Sequence, residues 1–359
     1  MRTKAIQDRA NDKDVIRGCL NLMLSDEKLP LMFNPLTSLI LSLMKIIVTC
    51  SLILSMSASV LFSSESYIAM EAHTGKVLLA AKPEQKRPVA SLTMIATAKV
   101  VLDWADASQT SLASQAFVPQ SAFAFQSSNP MGLRPGDRVT LRDAIYSALM
   151  GSDNIAAHTL ADHVGRAILA HRRQAGDPQK IFVAEMNYLA KALGMRRTRF
   201  GNSHGLNHVG RKSYSTASDI ARLCVHVMRD TGFAFYVKQK SRNIYVNKAG
   251  GRKLAFKVTN ANPLLGVFGI NGIKSGASVS AGQCLAVNAH RSPLVKKLSD
   301  DRAQIRYRDL IVVVLGSNDV AVRSKQLISQ AWPMYDSWAA SGYQQNAQSS
   351  KLIVVPKIR

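Results

Sequence analysis

The sequence predicts an α+β fold, and three observations predict it. A strand-like pair opens the ordered region, from Tyr67 to Ala81. A block of amphipathic segments follows, from Ala90 to Arg229. Beyond Arg242 the character turns to β again, before one last helical stretch. Strands that flank a run of helices, rather than alternate with them, suit an antiparallel sheet whose first and last strands are neighbours.

The elements follow in order. Tyr67 to Ala72 and Val77 to Ala81 are short apolar runs, and His73-Thr74-Gly75-Lys76 between them supplies turn chemistry. Pro83 and Pro88 break the chain before a helix expected over Ala90–Ala107, with Val100, Val101, Leu102 and Trp104 as core candidates. Thr140 reads as the N-cap of a helix to Met150, with Leu141, Ile145, Ala148 and Leu149 on one face. Helices are expected over Ile155–Ala170, Phe182–Leu193, which ends at Gly194, and Ser218–Arg229. Ile244–Val246, Leu254–Phe256, Cys284–Val287 and Leu310–Leu315 read as strands, and Ser324–Trp332 as the last helix before a polar tail.

The chain has 359 residues with 46 Lys+Arg against 23 Asp+Glu, a net charge of +23. Residues 1–64 carry seven basic and five acidic side chains, so the excess belongs to the remainder. Such a field favours anionic envelope polymers or a membrane surface. Nucleic acid is not expected, because no recognition helix, Cys/His finger or aromatic RNA-binding pattern occurs. Cys19 and Cys50 precede the expected mature start, while Cys224 and Cys284 lie in apolar runs and read as buried free thiols. No metal-ligand spacing is present and no cofactor is implied.

Met44-Lys45 opens a basic, apolar and then small-residue series, Ile46–Leu54 followed by Ser55, Ser57, Ala58 and Ser59. It reads as a secretory signal over 44–64, with translation starting at Met44 and residues 1–43 an upstream extension. The other reading is an uncleaved anchor across Leu36–Phe62, since ~20 apolar residues span a bilayer. Either way the product is exported to the periplasm or another extracytoplasmic space. A folded domain over 65–338 and a polar basic tail over 339–359 complete the expected organisation.

Three short motifs carry chemistry. Ser91-Leu92-Thr93-Met94 has the S-x-x-K spacing with its lysine position occupied by Met94. Ser152-Asp153-Asn154 is S-x-N, and Lys274-Ser275-Gly276 is K-[ST]-G. This ordered set marks serine acyl-transfer sites. A serine at a helix start exposes its hydroxyl and brings its own N–H to an oxyanion. A residue three positions on shares that helix face, so a lysine there takes the hydroxyl proton. Each motif alone is cheap: Ser25–Lys28 and Ser42–Lys45 are chance S-x-x-K copies. Order and flanks supply the specificity.

The flanks resemble the S11 D-alanyl-D-alanine carboxypeptidases, the low-molecular-mass penicillin-binding proteins. Tyr67–Leu78 and Arg87–Thr93 are similar to their opening. Leu193-Gly194-Met195, Phe200–Leu206 and Tyr214–Asp219 are similar to their centre, and Gly272–Gly276 with Ala281–Leu285 to their last motif and strand. The likeness runs from about Ser66 to Ser324. It implies the β-lactamase/transpeptidase-like α+β fold, an antiparallel sheet packed between helices. It implies Ser91 as acyl-ester nucleophile, Ser152 and Asn154 as proton relay and substrate clamp, and Lys274, on an inner strand, as binder of the substrate carboxylate. Ser275, Gly276 and Ala277 line the substrate, with Ala277 N–H as second oxyanion donor. The implied partners are peptidoglycan stem peptides ending in D-Ala-D-Ala, with β-lactams as acylating ligands.

Three departures stand out: Met94 for lysine, Ser275 for threonine, and no room for a further C-terminal β-domain. Losing a positioned base costs ~10²–10⁴-fold. Lys99 lies eight residues beyond Ser91, about 12 Å along a helix at ~1.5 Å per residue, too far to replace it. The sequence thus supports an impaired carboxypeptidase, with a non-catalytic peptidoglycan- or partner-binding relative as the alternative. A class A β-lactamase-like hydrolase is more remote, because Glu185 lacks the required neighbours and reads as a helix-surface residue.

Overall fold

In a computed structural model, residues 65–124, 127–207, 212–299, 301–344 and 352–358 are described. Ser64–Arg359 form one compact unit. The segment expected as signal or anchor, 44–64, lies outside the described residues, as does the upstream extension 1–43. Among the described residues no helix is long and apolar enough to cross a membrane.

Strands β1 (Ser66–Glu71) and β2 (Val77–Ala81) form the opening hairpin. A single 3-10 turn, Ala90–Leu92, leads into α1 (Thr93–Ala107). Strands β3 (Gln115–Phe117) and β4 (Arg138–Thr140) precede α2 (Leu141–Gly151) and α3 (Asn154–His171). Helices α4 (Pro178–Ala192), α5 (Ala217–Met228) and α6 (Thr231–Val237) follow. The chain closes with β5 (Ser241–Asn247), β6 (Lys253–Thr259), β7 (Ile270–Ser278), β8 (Gly282–Ser299), β9 (Arg302–Ser317) and α7 (Val320–Ala340).

Five strands form the main sheet in the order β2-β1-β9-β8-β7, all antiparallel. The opening and closing strands are neighbours, with Ser66 opposite Leu315. Alternation along each strand serves two cores. Ile68, Met70, Ala286, Ile311 and Val313 face the helical block, while Ala69, Leu285, Val287, Leu310 and Val312 join Leu327, Trp332 and Tyr335 of α7. A sheet covered on both faces needs apolar residues at every position. That requirement explains the unbroken run Leu310–Leu315. Strands β3-β4-β5-β6 form a second, smaller sheet.

Helix α1 is the axis of the helical block, with Met94, Ile95, Ala96, Ala98 and Val101 each fully buried. Side-chain caps set several helix starts. Thr140 Oγ1 accepts from Asp143 N at 3.0 Å, and Thr216 Oγ1 from Asp219 N at 3.1 Å. Each satisfies a donor that the first helical turn leaves open.

Several elements differ from expectation. Helix α4 starts four residues before Phe182, because Asp177 caps it and Pro178 fits its first position. Helix α6 was not foreseen; it is short, and Asp230 caps it at Gly232 and Phe233. Strands β8 and β9 extend far beyond 284–287 and 310–315. The last helix runs from Val320 to Ala340 with Pro333 inside it. Residues 352–358, part of the expected polar tail, pack back on the molecule. Ile353 and Val355 are buried, and Ile353 N donates to Gly75 O at 2.9 Å. Cys224 and Cys284 are buried free thiols.

Candidate active site

The structure brings the three motifs together where α1, the α2–α3 junction and β7 meet. Ser91 sits half-buried in the 3-10 turn that precedes α1. The preceding residue, Ala90, has φ +46°, a left-handed conformation that a residue bearing a Cβ adopts at a cost. Two glycines permit this turn. A Cβ on Gly205 would lie 2.0 Å from Ala90 O and 2.7 Å from Thr93 Oγ1. A Cβ on Gly276 would lie 2.8 Å from Ser91 N and 3.2 Å from Leu92 N. The segment 201–205 is tied to α1 where Thr97 Oγ1 donates to Ser203 O at 2.6 Å.

Ser152 and Asp153 form the whole link between α2 and α3. Ser152 takes φ +54°, which ends α2 and turns the chain. Asp153 then caps α3: its Oδ1 accepts from Ala156 N, and its Oδ2 from Ser147 Oγ, each at 2.9 Å. Asn154, the first residue of α3, is buried, and its Oδ1 has no hydrogen-bond partner among the described residues.

Lys274 is the buried cation of the site, at 1% exposure. Its Nζ donates to Ser152 Oγ and, at 2.8 Å, to Ser275 O. Burial with no acidic neighbour to offset it brings the Lys274 pKa down to about 7. Ser275 Oγ donates to Ala261 O at 3.0 Å, and Ala277 follows on the same strand, opposite Gln283. The inner-strand placement expected for Lys274 is incorrect. Strand β7 is the edge of the main sheet, so among the described residues its outer side carries no strand partner. The reason is topological: β8 pairs with β9 on its other side, and β7 is left outermost.

Met94 follows Ser91 by three residues and is fully buried. Lys99 is held elsewhere: its Nζ donates to Asp103 Oδ1 at 2.6 Å and to Asp230 Oδ2 at 2.9 Å. Burial works against its charge, but these two carboxylates outweigh it and raise the pKa. Glu185 lies on α4, paired with Arg172 at 2.8 Å. Among the described residues no cluster suited to a metal ion occurs.

Asp153 carries its own pH signature. Burial, against several hydrogen bonds, pushes its pKa up to about 6. A carboxyl with a raised folded pKa adds stability that is complete below its unfolded value and is lost as pH rises through 6. Asn in its place keeps the cap without the charge. Asp153→Asn is therefore expected to gain on wild type by about 1–3 kcal/mol between pH 4 and pH 7, read from urea midpoints. A pH-independent difference would show that Asp153 stays charged.

Ala90, Gly205 and the capping role of Asp153 escaped the sequence reading. Gly205 had a faint signal, a glycine in the Phe200–Leu206 stretch. Ala90 had none, since nothing local requires alanine to turn left-handed.

A serine turn at the head of a buried helix, an S-x-N link and a lysine on the sheet edge define a protein of the β-lactamase/transpeptidase-like class. Residues 55–295 match the model of the S11 peptidase family, D-alanyl-D-alanine carboxypeptidase. The chain belongs to that family. It is 29% identical to D-alanyl-D-alanine carboxypeptidase DacC of Escherichia coli K12 over 284 residues, 76% of this chain and 62% of that protein. It is 31% identical over 230 residues to the D-alanyl-D-alanine carboxypeptidase of Streptomyces sp. K15, 62% of this chain and 75% of that protein. The crystal structure of the Streptomyces K15 DD-transpeptidase superposes with a TM-score of 0.61 at 26% identity, over 75% of this chain and 95% of that one. The chain thus spans less than two thirds of the length of the Escherichia coli relative.

Proposed function

We propose that this chain is a serine-type D-Ala-D-Ala carboxypeptidase-like protein of the cell wall whose acylation step is slowed by Met94. The observation that carries the reading is the Lys274 to Ser152 hydrogen bond beside the Ser91 turn. It supports a site able to hold a peptide carboxylate and move a proton. Ser91 Oγ attacks the carbonyl carbon of the penultimate D-Ala, and the C–N bond to the terminal D-Ala breaks. The Ser91 proton leaves toward Ser152 and Lys274, and the departing amine takes up a proton. Water then cleaves the ester and restores Ser91. Asn154 holds the peptide amide, while Ser275 and the β7 edge at Gly276 and Ala277 guide the substrate. Ser91 N–H and Ala277 N–H supply the oxyanion donors.

Lys274 in this scheme serves two tasks that conflict. As a base it must be neutral, and as a carboxylate binder it must be charged. Turnover is accordingly slow, and β-lactams, whose strained ring opens without a leaving amine to expel, acylate more readily than stem peptides. The segment 44–64 directs the chain out of the cytoplasm to this substrate.

Incubation with a penicillin, followed by intact mass measurement, tests the proposal. Wild type is expected to gain one adduct slowly, Ser91→Ala none, and Lys274→Met about tenfold less than wild type. Labelling of Ser91→Ala would move the nucleophile elsewhere. Complete inertness of wild type would favour the non-catalytic relative.

A further inference from the structure

The main sheet does not end where its neighbours end. Strand β7 last pairs with β8 at Ala289, and β1 last pairs with β9 at Leu310. Strands β8 and β9 continue past both, alone, through the pairs Arg291–Arg308, Leu294–Arg306, Val295–Ile305 and Ser299–Arg302. Residues 291–308 are thus a two-stranded ribbon, about 25 Å long at ~3.3 Å per residue. Register shifts between Arg291 and Leu294, and between Lys297 and Ser299, interrupt its ladder.

The ribbon is built unlike the sheet from which it grows. Val295 is 64% exposed, Leu298 61%, Tyr307 56% and Ile305 53%. Val295 and Ile305 are directly opposite, and Tyr307 is two residues along, so these three share one face. The same 18 residues carry six Lys and Arg against Asp300 and Asp301. Arg291 pairs with Asp336 at 3.1 Å, and Arg306 lies over the Tyr343 ring at 3.5 Å; both hold the ribbon's base to α7 and the chain after it. Lys296, Lys297 and Arg302 lie toward the tip.

An isolated two-stranded ribbon is marginal in water, and exposed apolar side chains make it worse. Something must cover them. A second copy would bring two rows of cations together. A soluble anionic polymer would match the cations but leave the apolar face wet. An anionic bilayer satisfies both: its headgroups meet the cations, and its acyl boundary takes the apolar side chains.

We propose that residues 291–308 are a docking surface for an anionic lipid bilayer, into which Val295, Ile305 and Tyr307 insert. The ribbon tip lies about a dozen residues along β8 from Ala286, the residue opposite Lys274, or about 40 Å at ~3.3 Å per residue. Docking by the tip leaves the Ser91 cleft open to its substrate.

Vesicle flotation tests this with residues 64–359, which contain both cores and leave out the apolar segment 36–62. Binding to vesicles of about 30% phosphatidylglycerol in phosphatidylcholine is expected to exceed binding to pure phosphatidylcholine at least about tenfold. Two triple variants, Val295→Ser/Ile305→Ser/Tyr307→Ser and Lys296→Glu/Lys297→Glu/Arg302→Glu, are each expected to weaken it about tenfold or more. Val295→Trp should shift its emission to the blue on the same vesicles, a readout that needs no loss of binding. Equal binding to neutral vesicles, or full binding by the serine variant, overturns the proposal. So does a serine variant that alters oligomeric state in place of vesicle binding, which would assign the ribbon to a protein partner. Competition by soluble polyglutamate with the serine variant undiminished would assign it to a polymer.

Discussion

Replacing Met94 with lysine is expected to raise penicillin acylation of Ser91 by about 10²–10⁴-fold, the usual worth of a positioned general base. The surroundings favour the exchange. Met and Lys side chains have similar length, so the fully buried position accepts the new stem. Burial acts on the newcomer as it acts on Lys274. An amine buried at position 94 loses its proton more easily than one in water, and a neutral amine is what the step requires. Stopped-flow or timed mass measurement of the adduct reads the rate. An unchanged rate in a folded Met94→Lys protein would show that position 94 is not the missing base. Faster acylation with one equivalent of D-alanine released per protein and no further turnover would place the deficit in deacylation instead.

Gly205→Ala is expected to destabilise the protein by about 3–5 kcal/mol and to cut Ser91 labelling further than its loss of fold explains. Gly205 has φ +88°, which already disfavours a side chain. The added carbon also meets backbone, Ala90 O at 2.0 Å, and no rotamer change relieves that contact. Relief requires the Ala90–Ser91 turn to move, and with it the hydroxyl. Gly250→Ala is the control: nothing lies within 4 Å of its added carbon, and a change under about 0.5 kcal/mol is expected. Urea midpoints and penicillin labelling, measured on both, separate fold from site. A Gly205→Ala protein as stable as the control would mean that the turn is loosely held.

The sequence was most legible where local chemistry and tertiary demand agree. Thr140 caps the helix it precedes, and Leu310–Leu315 is apolar at every position because both faces of β9 are covered. The motif residues could be named because their spacing along the chain is itself chemical. What stayed hidden depends on approach between distant segments. Nothing near Ala90 announces a left-handed residue; Gly205, more than a hundred positions away, leaves the room for it. The edge position of β7 was equally invisible, since an apolar strand reads the same at the centre or the rim. The ribbon was missed for the opposite reason. Its alternation is broken by charges and by Pro293, and it pairs only with itself.

The pairing of β1 with β9 also sets when this protein can fold. Ser66 and Leu315 are neighbours in the sheet, yet about 250 residues of chain separate them, a long loop to close before any contact repays it. A chain emerging from its amino end has its first strand in hand and no partner for one side of it. Until β9 is made, the sheet lacks the strand that joins its two halves, and the face that α7 will cover is absent. Such a chain stays open through most of its synthesis. The same strand order that completes the core therefore postpones it until the last strands have been made.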